Sequence, residues 1–228
     1  MPELGSTSEL LSGVAAKLAE RGFRVRAIAG QPNYFGKARV DKVLELNGVI
    51  VRRVFSTQLD KNTAFGRALN AATLAVSMFL SLLFVERRSL IVAVTTPPLL
   101  PWVCYAAHRL AGSRYVVLIF DVYPDIAVAL GAVKKGGLIA RMWHRLNALS
   151  LDAAERIVVL GRDMEELINQ RVSAHSRDKI TTVPNWADGE MLAPIDRSTH
   201  PVLAELRALD RFVVLYSGNI GRFHEIST

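Results

Sequence analysis

The sequence predicts an α/β protein in which helices cover both faces of a parallel sheet. Short, almost continuously apolar segments such as residues 90–95 and 115–120 alternate with helical patterns along the chain. Strands that are apolar on both sides are typical of parallel sheets buried between helices. Half of the 228 residues are hydrophobic and 21% are charged, so a buried core is available and a disordered chain is not expected.

The predicted elements follow one another with short connections. Residues 6–9 form a capping-box pattern that begins the first helix, which ends at residues 21–22. Because this helix precedes every predicted strand, we expect a further strand before Pro2. The predicted strands are residues 23–29, 49–55, 90–95, 115–120, 156–160, 179–183 and 212–217. The later predicted helices are residues 63–85, the segment from Pro98 to about Leu110, and residues 126–130, 138–154, 163–170 and 202–208.

The segment at residues 184–189 (PNWADG) breaks this alternation and predicts a domain boundary. We expect one domain over residues 1–184 and the beginning of a second over residues 185–228. The strand predicted at residues 212–217 runs into a glycine turn at 218–222, and the chain ends before a helix can follow. These features predict a truncated chain.

Net charge favours acidic partners. The formal charge is +7 and the isoelectric point is about 9.9, which suits an anionic membrane face or a phosphorylated substrate. A nucleic-acid partner is not expected, because no compact basic run with interleaved aromatic residues occurs. A solvated basic surface without a partner is the alternative.

An uncharged stretch at residues 68–85 is just long enough to span a bilayer. Four polar residues interrupt it, and it lies within the α/β alternation. We therefore favour a buried or membrane-surface helix over a span. The polar residues are Asn70, Thr73, Ser77 and Ser81.

Several kinds of chemistry are not expected. The single cysteine, Cys104, excludes an internal disulfide framework, and its apolar surroundings indicate a buried side chain rather than a catalytic thiol. No pair of histidines has metal-ligand spacing, so no metal is expected. Neither a Ser-His-Asp elbow nor a Walker-type loop is present.

Two glycine turns are candidate phosphate sites. Gly5 with Ser6 precedes a helix, where backbone amides and the helix dipole favour an anion. The turn at residues 218–222 (GNIGR) follows a predicted strand, and Arg222 adds a permanent positive charge. Ordinary helix capping and a tight turn with a solvated arginine are the respective alternatives.

Two carboxylates lie where the strand at residues 115–120 ends. Asp121 and Asp125 could bind sugar hydroxyls or handle a proton at this edge of the sheet. The alternative is that Asp125 caps the next helix and Asp121 satisfies loop amides.

Six motifs occur in order over essentially the whole chain, at residues 2–7 (PELGST), 21–25 (RGFRV), 31–34 (QPNY), 121–125 (DVYPD), 183–185 (VPN) and 216–222 (YSGNIGR). Together they resemble the retaining family 4 glycosyltransferases. The resemblance implies two Rossmann-like domains of the GT-B type. The subgroup that the sequence resembles most adds amino sugars such as N-acetyl-L-fucosamine in bacterial surface-polysaccharide synthesis.

This resemblance implies that the first domain holds the acceptor and the second binds a nucleotide sugar, a UDP-sugar rather than a GDP-sugar, without a further cofactor or metal. The implied catalytic residues are Asp121 and Arg222, with Arg222 neutralising the leaving diphosphate. The implied acceptor-side residues are Asn33, Asp121 and Asp125. The implied diphosphate-binding residues are Gly5, Ser6, Gly218, Asn219, Gly221, Arg222 and His224, the last where many relatives have a lysine.

The resemblance also implies a lipid-linked saccharide acceptor and a cytoplasmic protein peripherally bound to the inner face of the cytoplasmic membrane. The resemblance places the carboxylate pair that grips the donor in this family, spaced eight residues apart, well beyond Thr228, so the chain lacks it. We therefore expect no transfer by the chain alone. A non-catalytic membrane-surface or lipid-phosphate binding module is the alternative function. A nucleotide-dependent oxidoreductase or epimerase is disfavoured, because neither GxGxxG nor YxxxK is present.

Overall fold

The computed structural model describes residues 6–31, 41–60, 63–187, 189, 194–216 and 218. The chain falls into two compact units, Met1–Asn185 and Trp186–Thr228. The acceptor-side and donor-side roles expected for the two parts of the chain stay predictions.

Helices and strands alternate through most of the first unit. Its strands are β1 (Val25–Ala29), β2 (Val43–Leu46), β3 (Val49–Arg53), β4 (Leu90–Val94), β5 (Arg114–Leu118), β6 (Arg156–Val159) and β7 (Ile180–Thr182). Its α-helices are α1 (Ser6–Glu20), α2 (Ala64–Leu82), α3 (Leu100–Ala111), α4 (Asp125–Ala129), α5 (Leu138–Asp152) and α6 (Arg162–Asn169). A 3₁₀ helix at Ala174–Lys179 precedes β7.

A parallel sheet with the order β4-β5-β6-β7 forms the centre of the first unit. In its first pairing Val94 lies opposite Leu118, so the carboxyl ends of β4 and β5 meet at one edge. The predicted fold class, α/β with a Rossmann-like parallel sheet and flanking helices, is confirmed.

The sequence predicts one sheet, whereas the described residues form two. The second has the order β1-β3-β2, with β1 parallel and β2 antiparallel to β3. Asn47 and Gly48 join β2 to β3 and both have positive φ, 50° and 73°. An Asn-Gly pair between apolar residues is the typical signal for such a hairpin turn. No strand is predicted from the sequence at residues 43–46, where this turn places β2 against β3.

The core lies between the parallel sheet and its helices. Tyr115, Val117 and Ile157 are fully buried, and α3 and α5 pack on each other. Cys104 is buried in this core, and burial raises the pKa of its thiol to about 12. Cys104 is therefore a protonated core side chain, as its apolar surroundings predict.

The second unit differs from its prediction. Residues 212–216 form no strand, and Phe212 is almost fully exposed. A strand needs a hydrogen-bonded partner, and the described part of this unit offers none. The helix predicted at residues 202–208 is shorter, α7 (Pro201–Glu205), because Arg207 takes a positive φ of 51°.

Shortening a side chain in the sheet core tests this packing. We expect Ile157→Ala to lower the free energy of unfolding by about 2–4 kcal/mol, because Ile157 is fully buried and the cavity cannot collapse completely. The exposed Ile139→Ala is the control and should change it by less than about 0.5 kcal/mol. Urea unfolding followed by circular dichroism measures both. Equal losses in the two variants would contradict this account of the core.

Candidate functional site

A small cleft opens where β4 and β5 end, and threonines after β4 fix the loop that follows β5. The buried Thr95 hydroxyl accepts hydrogen bonds from the backbone N–H groups of Phe120 (3.1 Å) and Asp121 (3.0 Å). These contacts hold the chain just past β5 against the neighbouring strand. Ligands of open α/β sheets bind at this edge.

Asp121 presents one engaged and one available carboxylate oxygen. Thr96 donates its hydroxyl hydrogen to Oδ2 at 2.8 Å. Within the described residues Oδ1 makes no hydrogen bond, and the side chain is half-buried and lines the cleft. A carboxylate held in one rotamer with a free oxygen can accept a hydrogen bond from a hydroxyl group or take up its proton.

The cleft is small, with a cavity volume of about 40 Å³. That volume suits one or a few water molecules or a single hydroxyl group. A group as large as a sugar ring does not fit inside the cleft. The polar side chains in its wall are those of Thr95, Asp121, Tyr123, His144, Asn147, Ser150 and Arg171.

Two helices hold the loop that carries Asp121. The Asn147 side chain on α5 donates Nδ2–H to the Tyr123 carbonyl at 2.7 Å. Its Oδ1 accepts from Trp102 Nε1 on α3 at 2.6 Å. The Tyr123 ring stacks on Trp143, with centroids 5.8 Å apart and planes within 7°. Burial, and then the charge of Asp121, raises the pKa of Tyr123, which keeps its hydroxyl protonated.

Asp125 is placed differently from Asp121. Both of its oxygens accept hydrogen bonds from the Arg171 guanidinium, at 2.5 and 2.7 Å. These bonds hold the pKa of Asp125 below its ordinary value despite the opposing effect of partial burial. Asp125 also begins α4. The acceptor contact predicted for Asp125 stays a prediction, and Asp121 is the carboxylate with an oxygen open to a ligand.

The structure describes two of the other predicted site residues, and their predicted roles stay predictions. Ser6 begins α1, and Gly218 lies in the second unit beside the ring of Tyr216. The remaining predicted residues fall outside the described part of the chain: Gly5, Asn33, Asn219, Gly221, Arg222 and His224.

Sequence reasoning missed Thr95, Asn147 and Arg171, whose contacts are long-range and leave no local pattern. The alternation of residues in β3 could have identified Arg53 from the sequence. Arg53 follows Val49 and Val51 on the buried face of β3, is only 8% exposed, and donates to the Gly30 carbonyl at 2.7 Å. Alternation of burial in a strand places every second residue inward, so a charged residue in that series marks the carboxyl end of β3.

Comparison with known proteins places the chain in a family. Residues 8–186 match the family described as "Glycosyl transferase 4-like domain". The chain belongs to this family. The match includes the cleft, the Asp121 loop and all strands of the first unit, so the architecture described above is that of a glycosyl transferase 4-like domain.

A curated relative points in the same direction. The "Probable glycosyltransferase WbjE" of Pseudomonas aeruginosa is 30% identical to this chain over 168 residues. The aligned part covers 73% of this chain and 42% of the relative. The chain thus spans about two fifths of the length of the curated relative that it matches.

The ion pair between Asp125 and Arg171 predicts a pH-dependent contribution to stability. Because the pKa of Asp125 is lowered by folding, the pair stabilises the fold above the unfolded pKa, about 3.9, and this contribution is lost as the pH falls through the folded value. Arg171→Gln should lower the free energy of unfolding by about 1 kcal/mol at neutral pH, a modest value since Asp125 is partly exposed to solvent.

Urea unfolding at several pH values between neutral and strongly acidic checks this prediction. The difference between the parent chain and Arg171→Gln should shrink in acid. The exposed Arg162→Gln on the neighbouring α6 should show no such trend. A difference that stays constant down to the lowest pH would contradict the role assigned to the pair.

Proposed function

We propose that this chain is the acceptor-side domain, with the beginning of the donor domain, of a glycosyltransferase. In this proposal a nucleotide sugar, a UDP-sugar rather than a GDP-sugar, is the donor and a lipid-linked saccharide is the acceptor. The observation that carries the proposal is the Asp121 carboxylate, fixed by Thr96 at the carboxyl ends of β4 and β5 with one oxygen available. Membership of the glycosyl transferase 4-like family supports the reaction type.

Asp121 would act on the acceptor hydroxyl. Transfer breaks the bond between the donor sugar and its diphosphate, forms a bond from the sugar to the acceptor oxygen, and moves the hydroxyl proton to the leaving diphosphate. By accepting a hydrogen bond from that hydroxyl, the carboxylate orients the attacking oxygen and increases its electron density. The size of the cleft admits the hydroxyl group and keeps the rest of the acceptor at the mouth, near Tyr123.

The donor side of the proposal rests on the resemblance in sequence. Arg222 and His224, with the glycine turn at residues 218–222, would neutralise the diphosphate as it leaves, and Gly5 with Ser6 would approach it from the first domain. Attack on the face that the diphosphate leaves would retain the configuration of the sugar. An amino sugar of a bacterial surface polysaccharide is the transferred group that the resemblance favours.

One observation favours a second candidate, a non-catalytic domain that binds a membrane surface. Helix α2 exposes a series of large apolar side chains to solvent. The two functions differ in the part of the chain that they use, since the Asp121 cleft and the exposed face of α2 share no residue.

Binding of an acceptor analogue tests the role of Asp121 in this chain as it stands. The probe is a water-soluble farnesyl diphosphate-linked N-acetylglucosamine, followed by the fluorescence of Trp102 and Trp143, which lie next to the cleft wall. We expect saturable binding that Asp121→Asn weakens about 10- to 100-fold, because a hydrogen bond to a charged group contributes about 1.5–3 kcal/mol.

The control is Asp178→Asn, which removes an exposed carboxylate from the 3₁₀ helix before β7. It should leave the affinity unchanged. Absence of binding to the parent chain, or equal affinity in Asp121→Asn, would contradict the proposed acceptor site. Farnesyl diphosphate alone serves as a second probe, since equal binding would mean that the sugar is not recognised.

A further inference from the structure

Apart from Arg67 near its start, the exposed residues of α2 are apolar. Phe65 is 74% exposed, Val76 59%, Leu80 52%, and Phe84, just after the helix, 88%. Ala68 and Ala72 are exposed between them. These six residues follow one another at intervals of three or four, so they form one stripe along the helix. We call this stripe the α2 outer face.

The opposite side of α2 packs into the interior of the first unit. Leu82 is a buried member of the core, and Ala75 and Met78 pack against that core. The outer face is therefore turned away from the sheet. In a helix that lies between a core and water, the outward side is normally polar, and α2 reverses this rule.

Three polar side chains of α2, those of Asn70, Thr73 and Ser81, make hydrogen bonds within the protein, whereas Arg67 is exposed. Asn70 bonds the backbone N–H and carbonyl of Leu59, each at 3.0 Å, and Thr73 accepts from the backbone N–H of Thr57 at 3.0 Å. The Ser81 hydroxyl donates a hydrogen bond to the Ser77 carbonyl within the helix. These contacts satisfy the polar groups within the protein and tie α2 to the segment that precedes it.

Positive charge lies at the end of the outer face. Arg87 and Arg88 are exposed directly after Phe84. The one acidic residue beside them in sequence, Glu86, is engaged by Arg24 at 3.5 Å and Arg26 at 3.7 Å. With four arginines and one glutamate, this cluster carries a net charge of +3. An apolar stripe that ends in a basic cluster is complementary to acyl chains beneath anionic headgroups.

A transmembrane arrangement does not fit the fold. Phe65–Leu82 is, among the described residues, the one helical segment long and apolar enough to cross a bilayer. Crossing would put β3 and β4, which α2 connects, on opposite sides of the membrane, yet both belong to one compact unit. It would also strip α2 of its contacts with the core and with residues 57–59.

We propose that the α2 outer face lies in the surface of an anionic phospholipid bilayer, with the helix parallel to the membrane plane. Phe65, Val76, Leu80 and Phe84 enter the boundary between headgroups and acyl chains. Arg87 and Arg88 contact lipid phosphates. The domain is then held at the membrane by one face of one helix, independently of whether it takes part in sugar transfer.

Vesicle binding by the complete chain tests this proposal. In sedimentation with phosphatidylcholine vesicles that contain phosphatidylglycerol, we expect binding that added salt weakens and that pure phosphatidylcholine vesicles largely lack. Arg87→Gln/Arg88→Gln should weaken it about 10- to 30-fold, at about a factor of ten or less per arginine. Val76→Gln/Leu80→Gln should weaken it about tenfold or more, because the side chains lose their transfer into the lipid.

Matched controls change the same residue types elsewhere on the surface. Leu138→Gln/Ile139→Gln alters two exposed apolar residues of α5, and Arg162→Gln/Arg177→Gln removes two exposed arginines. Both should keep the parent affinity. Failure of the parent chain to bind anionic vesicles, or equal losses in the control variants, would overturn the proposal.

A fluorescent label reports where the helix lies. Because Cys104 is buried and its thiol stays protonated, a polarity-sensitive maleimide dye should react selectively with a cysteine introduced by Val76→Cys. On anionic vesicles its emission should shift to the blue, whereas a dye on Asp178→Cys should not respond. An unchanged emission at position 76 would overturn the proposal.

The same vesicles and variants would also reveal two other occupants of the outer face. Self-association without vesicles that Val76→Gln/Leu80→Gln abolishes would assign the face to a second copy of the chain. Binding that resists both high salt and alkaline carbonate, and yields only to detergent, would assign α2 to a transmembrane span. Either result would overturn the surface arrangement.

Discussion

The candidate site depends on the pairing of β4 with β5. Because Val94 lies opposite Leu118, the chain leaves both strands at one level and the threonines after β4 reach the loop after β5. Thr95 satisfies two backbone N–H groups of that loop, which would be costly to bury without partners. Thr96 then fixes the Asp121 carboxylate. A shift in strand register would separate these groups.

The helices turn this edge of the sheet into a rigid site. Asn147 uses both ends of its amide, one for Trp102 on α3 and one for the backbone of Tyr123, so two helices and the loop share one side chain. Below them the buried Tyr115 hydroxyl donates to the Ser150 carbonyl of α5. A functional carboxylate is held best by residues whose own positions are locked in this way. Asp121 owes its placement to these hydrogen bonds and to the pairing of β4 with β5.

Helix α2 lies between two environments. Its inner side packs against the core, while its outer side, from Phe65 to Phe84, exposes an apolar stripe. The arginines that hold Glu86 also connect β1 to the segment before β4, across the division between the two sheets. The described β1 and β4 share no backbone pairing.

Local patterns in the sequence predict the α/β class, the approximate strands and helices, the burial of Cys104 and the position of Asp121 after an apolar strand. All of these follow from periodicity and composition over a few neighbouring residues. Three features depend on long-range packing: the division into two sheets, the lack of a strand at residues 212–216, and the different hydrogen-bond partners of Asp121 and Asp125. Thr96 and Asp121 are 25 residues apart, and Asp125 and Arg171 are 46 apart. Contacts over such distances arise from strand pairing and helix packing, which local patterns do not encode.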